Sequence, residues 1–176
     1  PGHVRMFSWD GSSWNQLGQD IDGPSSGANE FGYSVSLSGD GSIVAIGSPK
    51  YDQGGGGTAY AGLVAVYMYN GTSWNQIGQD LTGTNYNDYF GWDVSLSNNG
   101  TTLAVGSPGG GGSGNGELKV YNYNGSTWIQ IGQTIDGYNF KDENDLYGFN
   151  TALNKIATIP HSDSVKEAWL KTEVAI

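Results

Sequence analysis

The sequence predicts an all-β fold assembled from four-stranded antiparallel units, and three observations predict it. First, glycine is over-represented, at 30 of 176 residues against a usual share of about 7%. Aromatics reach 12% while charged residues are only 14%. Glycine with aromatics and few charges suits short strands joined by tight turns. Second, one aromatic-rich segment occurs three times along the chain. Third, Asp-Gly or Asn-Gly dipeptides punctuate the strand-like runs, the strongest short hairpin signal. With five prolines and no Gly-X-Y register, collagen is excluded.

The repeat comes first because a fixed period decides the architecture. Gly2-His-Val-Arg-Met-Phe-Ser-Trp-Asp-Gly-Ser-Ser-Trp14 aligns with Gly62-Leu-Val-Ala-Val-Tyr-Met-Tyr-Asn-Gly-Thr-Ser-Trp74. Both align with Gly116-Glu-Leu-Lys-Val-Tyr-Asn-Tyr-Asn-Gly-Ser-Thr-Trp128. Each continues as Trp-x-Gln-(Leu/Ile)-Gly-Gln to Gln19, Gln79 and Gln133, then closes on Gly23, Gly83 and Gly137. The second half of the unit also recurs. Phe31-Gly32-Tyr-Ser-Val-Ser-Leu-Ser38 matches Phe90-Gly91-Trp-Asp-Val-Ser-Leu-Ser97, and the two lead into Gly47-Ser48-Pro49 and Gly106-Ser107-Pro108. A third copy begins at Tyr147-Gly148 and decays by Ile156-Ala-Thr-Ile-Pro160.

Each unit offers four strands. The first runs from the opening glycine to the aromatic pair, Tyr67 and Tyr69 in copy two. Asp10-Gly11, Asn70-Gly71 and Asn124-Gly125 follow it as type I′ turns, with positive φ at both centres. The Trp-Gln-Gly-Gln segment is the second strand. The Phe-Gly segment is the third and the Gly-Ser-Pro segment the fourth, joined through Asp40-Gly41 and Asn99-Gly100. In copy two, Val64, Val66 and Met68 fall on one face and Leu63, Ala65, Tyr67 and Tyr69 on the other, as in a sheet covered on both sides. Arg5 and Lys119 stand at the Ala65 position, so that burial is partial in the other copies. Ser34, Ser36, Ser95 and Ala152 are small residues suited to a crowded inner strand. Four-stranded units in such an array are the blades of a β-propeller.

The order Phe-Gly, Gly-Ser-Pro, Gly-x-Val-x-Val-Tyr resembles the FG-GAP repeat of integrin α-subunit propellers and related surface proteins. Phe31-Gly32 with Gly47-Ser48-Pro49, and Phe90-Gly91 with Gly106-Ser107-Pro108, carry the resemblance, which covers nearly all of residues 2–160. It implies an extracellular or cell-surface adhesion module. The family's Phe-Gly strand is innermost in its blade. On that register residues 1–160 form one repeat domain: outer strands 2–22, whole blades 31–82 and 90–136, and inner strands 146–160. Two whole blades do not close a ring of about four to eight. The chain is therefore expected to be a piece of a longer propeller or to close with copies of itself, inner strands of one pairing with outer strands of the next. Many members carry an Asp-rich calcium loop. Here Ser38-Gly-Asp-Gly-Ser42 and Ser97-Asn-Asn-Gly-Thr101 hold one Asp or none, too few for the roughly six to eight oxygens calcium takes. No metal site or other cofactor is carried over.

Residues 161–176 lie outside the repeat. Ser164-Val-Lys-Glu167 is a capping box, and Val165, Ala168 and Trp169 fall at helical spacing, so a short helix is expected over 165–173. It reads as a packing cap on the last edge, a docking element for another protein, or an extension foreign to the native chain.

Net charge is −10 with only seven Lys+Arg, which disfavours nucleic acid and anionic membranes as partners. No apolar run approaches a membrane span. Pro1 reads as a mature or internal start. Without cysteine there is no disulfide, thiolate metal site or thiol nucleophile.

No catalytic set emerges. Sialidase propellers carry an Asp-box at the hairpin occupied here by Ser8-Trp-Asp10-Gly11-Ser-Ser-Trp14, but the turn is one residue shorter, and Arg5 is the sole arginine for a carboxylate-binding cluster. His3 and His161 have no repeated nucleophile partner. Asp142-Glu143-Asn144-Asp145 reads as a solvated loop or as a cation-binding run. Glu30, Asp88 and Asp145, acids ahead of the Phe-Gly positions, read as turn or hydrogen-bonding residues or as metal ligands. The glycine-rich stretches 54–57 and 109–113 lack the Gly-Lys-Ser/Thr ending of a phosphate loop. They read as connections on a candidate binding face.

Two sets of candidate sites remain. Asn70, Asn99 and Asn124 each open an Asn-Gly-Thr/Ser sequon on an expected turn, which reads as a glycosylation site or as plain hairpin chemistry. Trp14, Trp74 and Trp128 read as structural blade residues or as sugar-stacking ligand sites. The expected function is a non-enzymatic extracellular structural or adhesion scaffold that binds protein chains, by self-association or in a larger assembly, or glycans. A carbohydrate-binding lectin propeller with one site per blade is an alternative. So is a non-catalytic piece of a larger propeller enzyme.

Overall fold

A computed structural model of the chain describes residues 2–24, 29–52, 60–110 and 114–137. The expected inner strands 146–160, the tail with its helix, the acidic run 142–145, His161, and most of the glycine-rich stretches lie outside these residues. Among the described residues the fold is all-β, and no helix is long and apolar enough to cross a membrane.

The strands form an opening hairpin and two sheets, all antiparallel. In the hairpin β1 (His3–Val4) pairs with β4 (Ile21–Asp22), and β2 (Phe7–Trp9) pairs with β3 (Trp14–Gln16). The first sheet runs β5 (Ser34–Leu37), β6 (Ile43–Ser48), β7 (Leu63–Tyr69), β8 (Trp74–Gln76), with β9 (Leu81–Thr82) also on β7. The second repeats this order with β10 (Asp93–Leu96), β11 (Thr102–Ser107), β12 (Glu117–Tyr123), β13 (Trp128–Gln130) and β14 (Ile135–Asp136). Neither sheet closes on itself.

The three layers stack in chain order, because alternation sends successive side chains of each central strand to opposite faces. Val44, Ile46, Leu63 and Ala65 of the first sheet pack with Val4, Met6 and Ile21 of the hairpin. Ala45, Val64 and Val66 point the other way, against Phe90, Val94, Leu96, Leu103 and Val105 of the second unit. Met68 departs from this pattern and is exposed, as it lies at the turn end of β7.

The first strands of the two sheets lie side by side. Ser36 Oγ accepts from the Leu96 backbone N–H at 2.9 Å, and Ser34 Oγ donates to the Gly91 carbonyl at 2.8 Å. The approach leaves no room at Gly47, where a Cβ would stand 2.2 Å from the Gly91 oxygen. Small residues on this strand are thus explained by close backbone contact.

Two details differ from the sequence expectation. The Asx-Gly turns are not type I′. Gly11, Gly71 and Gly125 have positive φ, but the preceding Asp or Asn does not. Trp9 pairs with Trp14, so four residues fill the loop and the dipeptide is not its central pair. The Asx residue works through its side chain instead. Asp10 Oδ1 accepts from the N–H of Ser12 and Ser13, and Asn70 Oδ1 and Asn124 Oδ1 do the same for their own followers. The second difference is the Trp-Gln-Gly-Gln strand, which is broken in two. Gly18, Gly78 and Gly132 take φ near +70° and bend the chain before it rejoins the sheet.

Candidate functional site

That bend positions the residue after it. Ile77 still donates its N–H to the Val66 carbonyl, and then Gly78 turns Gln79 out of its own sheet towards the next. There the Gln79 side chain makes two bonds with one residue. Nε2 donates to the Trp128 carbonyl at 2.8 Å, and Oε1 accepts from the Trp128 N–H at 3.1 Å. The Trp128 indole Nε1 donates back to the Ile77 carbonyl at 3.1 Å. One unit earlier the arrangement is the same: Gln19 brackets the Trp74 backbone, and the Trp74 indole donates to the Leu17 carbonyl at 2.8 Å. The repeated Trp and Gln are therefore two halves of a latch between successive units.

Burial separates the three tryptophans. Trp74 and Trp128 are each 3% exposed, whereas Trp14 is 67% exposed. Each indole packs on the aromatic of its own hairpin, with centroids 5.1–5.5 Å apart for Trp9–Trp14, Tyr69–Trp74 and Tyr123–Trp128. Trp74 and Trp128 present no ring face to a sugar. Trp14 does, on a surface that also exposes Phe7 and Trp9. Val35 and Leu37 of β5 are 54% and 48% exposed, while their counterparts Val94 and Leu96 are 4% and 5% exposed beneath the first sheet.

A buried ion pair marks the second interface. Glu117 and Lys119 bond to each other, with Lys119 Nζ 5.8 Å above the Phe90 ring. Leu63 and Ala65 hold these places in the first sheet. Burial, reinforced by the Glu117 carboxylate, pushes the neighbouring Tyr121 phenol up to about 12. Arg5, at the same repeat position as Lys119, instead pairs with Asp20 in the open.

A second aromatic feature went unread in the sequence. Tyr33, Trp92, Tyr89 and Tyr60 form a continuous chain of rings across both units, with centroid separations of 4.9, 6.0 and 5.7 Å. The legible signal was that Tyr33 and Trp92 each directly follow the Phe-Gly pair. Lys50 and Glu30 pair at 2.7 Å, and the Glu30 carboxylate, with Tyr60 and Tyr89 nearby, raises the Lys50 ammonium.

The acids ahead of Phe-Gly do not occupy one register. Asp88 aligns with Asn29, both buried, while Glu30 aligns with Tyr89. Asp88 Oδ2 accepts from the N–H groups of Thr84 and Asn85, a turn role, and Glu30 and Tyr89 share positive φ. Among the described residues no three His, Asp or Glu side chains converge on a metal position.

Asn70, Asn99 and Asn124 are exposed. Each commits Oδ1 to its own turn; for Asn99 the donors are Ser97 Oγ and the Thr101 N–H and hydroxyl. Their Nδ2 atoms, the glycan-bearing atoms of a sequon, make no hydrogen bond among the described residues.

No protein-family model matches the chain, and no curated protein matches it.

Proposed function

We propose that the chain is a non-catalytic structural and adhesion module of the extracellular space, built from propeller-type blades of the FG-GAP kind, whose open sheet face receives another β-sheet unit. One observation carries this reading: Val35 and Leu37 on the first sheet are bare, while their counterparts Val94 and Leu96 one unit later are buried against the first sheet. Apolar side chains left bare where the repeat buries them elsewhere mark an interaction site. The resemblance of residues 31–49 and 90–108 to FG-GAP repeats supports the adhesion class, and the free Nδ2 atoms at Asn70, Asn99 and Asn124 suit a glycosylated secreted protein.

The test is a double charge substitution, Val35→Asp with Leu37→Asp, followed by sedimentation mass across micromolar concentrations. The expected result is a lower mass with an unchanged far-ultraviolet spectrum. An associated mass that the double variant leaves unchanged would remove the face as an interface.

A second reading, glycan binding, is favoured by the Tyr33–Trp92–Tyr89–Tyr60 chain of rings. Aromatic rows of this kind stack on the apolar faces of sugars. A glycan array with wild type and Trp92→Ala separates it, since loss of every signal in the variant is what the reading requires.

A further inference from the structure

Resting on that reading, we propose that the unit received at Trp14 belongs to a second copy of this chain, docked head to tail so that the Ile131-Gly132-Gln133 segment of one copy seats the Trp14 indole of the other.

The seat has the backbone of the two that are filled. Gly18, Gly78 and Gly132 have φ of 70°, 71° and 71°. A Cβ at Gly18 would stand 3.0 Å from the Trp74 Cδ1, and at Gly78 2.5 Å from the Trp128 Cδ1. Both glycines lie directly under the indole of the next unit. At Gly132 an added Cβ meets nothing within 4 Å among the described residues. Gln133 follows it as Gln79 follows Gly78. The apolar floor also repeats: Ile77 and Leu81 border the filled seat, and Ile131 and Ile135 stand in their places.

The incoming side is equally complete. Trp14 keeps its packing partner Trp9, and its indole N–H makes no hydrogen bond among the described residues. Phe7 stands where Tyr121 packs into the filled interface. One chain thus carries both halves of a contact it already makes twice, at opposite ends of the array. Joining them continues an existing interface, and the join is heterologous, so copies form a ring or a filament.

Two variants each disable one half. Trp14→Ala removes the indole. Gly132→Asn places a side chain where the indole would lie, and asparagine tolerates positive φ. Mass is measured by light scattering and sedimentation for the 176-residue chain, for each variant and for an equimolar mixture. Wild type should associate beyond one chain. Each variant alone should run as a single chain, with its dissociation constant raised at least about 30-fold, as for loss of a buried hot-spot tryptophan. The mixture should recover a one-to-one pair and no larger species, because only one intact contact remains. That recovery also shows that both variants are folded.

Retention of the wild-type mass by either variant, or a mixture that fails to pair, overturns the head-to-tail seat. If Val35→Asp with Leu37→Asp still dissociates the wild-type assembly, the bare face remains an interface and only the seat is wrong. A wild-type chain that stays single at every concentration removes both.

Discussion

Gln79 brackets the backbone of Trp128, donating to its carbonyl at 2.8 Å and accepting from its N–H at 3.1 Å across the boundary between two sheets. Gln19 does the same to Trp74. A buried indole in such a place carries large apolar area as well as its hydrogen bond. Trp74→Ala and Trp128→Ala should each cost about 3–5 kcal/mol in chemical denaturation. Trp14→Ala, measured on the dissociated chain, should stay within about 0.5 kcal/mol of wild type, the range for surface changes. Equal costs at all three positions would contradict the latch.

The Glu117–Lys119 pair offers a sharper comparison, because the first sheet has Leu63 and Ala65 in its place. Lys119→Ala alone strands a buried carboxylate and should cost about 3 kcal/mol. Glu117→Leu with Lys119→Ala copies the first interface and should return stability to wild type or above it. A double variant as weak as the single one would show that the pair itself holds the interface.

The two Gly-Ser-Pro serines should behave oppositely. Ser48 Oγ donates to the Asn29 carbonyl at 2.6 Å, so Ser48→Ala should lose about 1 kcal/mol. Ser107 Oγ is buried without a partner among the described residues. Ser107→Ala removes an unsatisfied hydroxyl and should be neutral or stabilising by thermal melting.

The turn aspartates predict an acid limb. Hydrogen bonds from Ser38, then Ser42, hold the Asp40 carboxyl at about 2, and backbone N–H donors from Ser12 and Ser13 lower Asp10 further. A folded-state value below the unfolded one stabilises the fold above the unfolded value of about 4 and loses that contribution as pH falls towards 2. Asn70 and Asn124 occupy the Asp10 place and Asn99 the Asp40 place. Asp10→Asn with Asp40→Asn should therefore melt below wild type at pH 7 and lose less stability between pH 4 and pH 2. On the alkaline side, Tyr121 contributes below the ordinary tyrosine value of about 10 and loses that contribution as pH rises towards 12.

Much of the fold was written in local pattern. Alternating apolar residues, the Asx-Gly positions and the recurrence of Gly2–Trp14 at Gly62 and Gly116 determine where strands start, stop and turn, since these depend on residues a few positions apart. The turn type was misread because it hangs on how many residues separate the last ladder pair, Trp9 and Trp14, and that is a matter of register. What only the tertiary structure decided is the use of each copy. Trp14, Trp74 and Trp128 sit in near-identical segments, yet two are buried and one is bare. The difference lies in the neighbouring sheet, and burial of a strand face is set by surfaces far away in sequence. The bond from Gln79 to Trp128 likewise exists only once a bend at Gly78 aims one unit at the next.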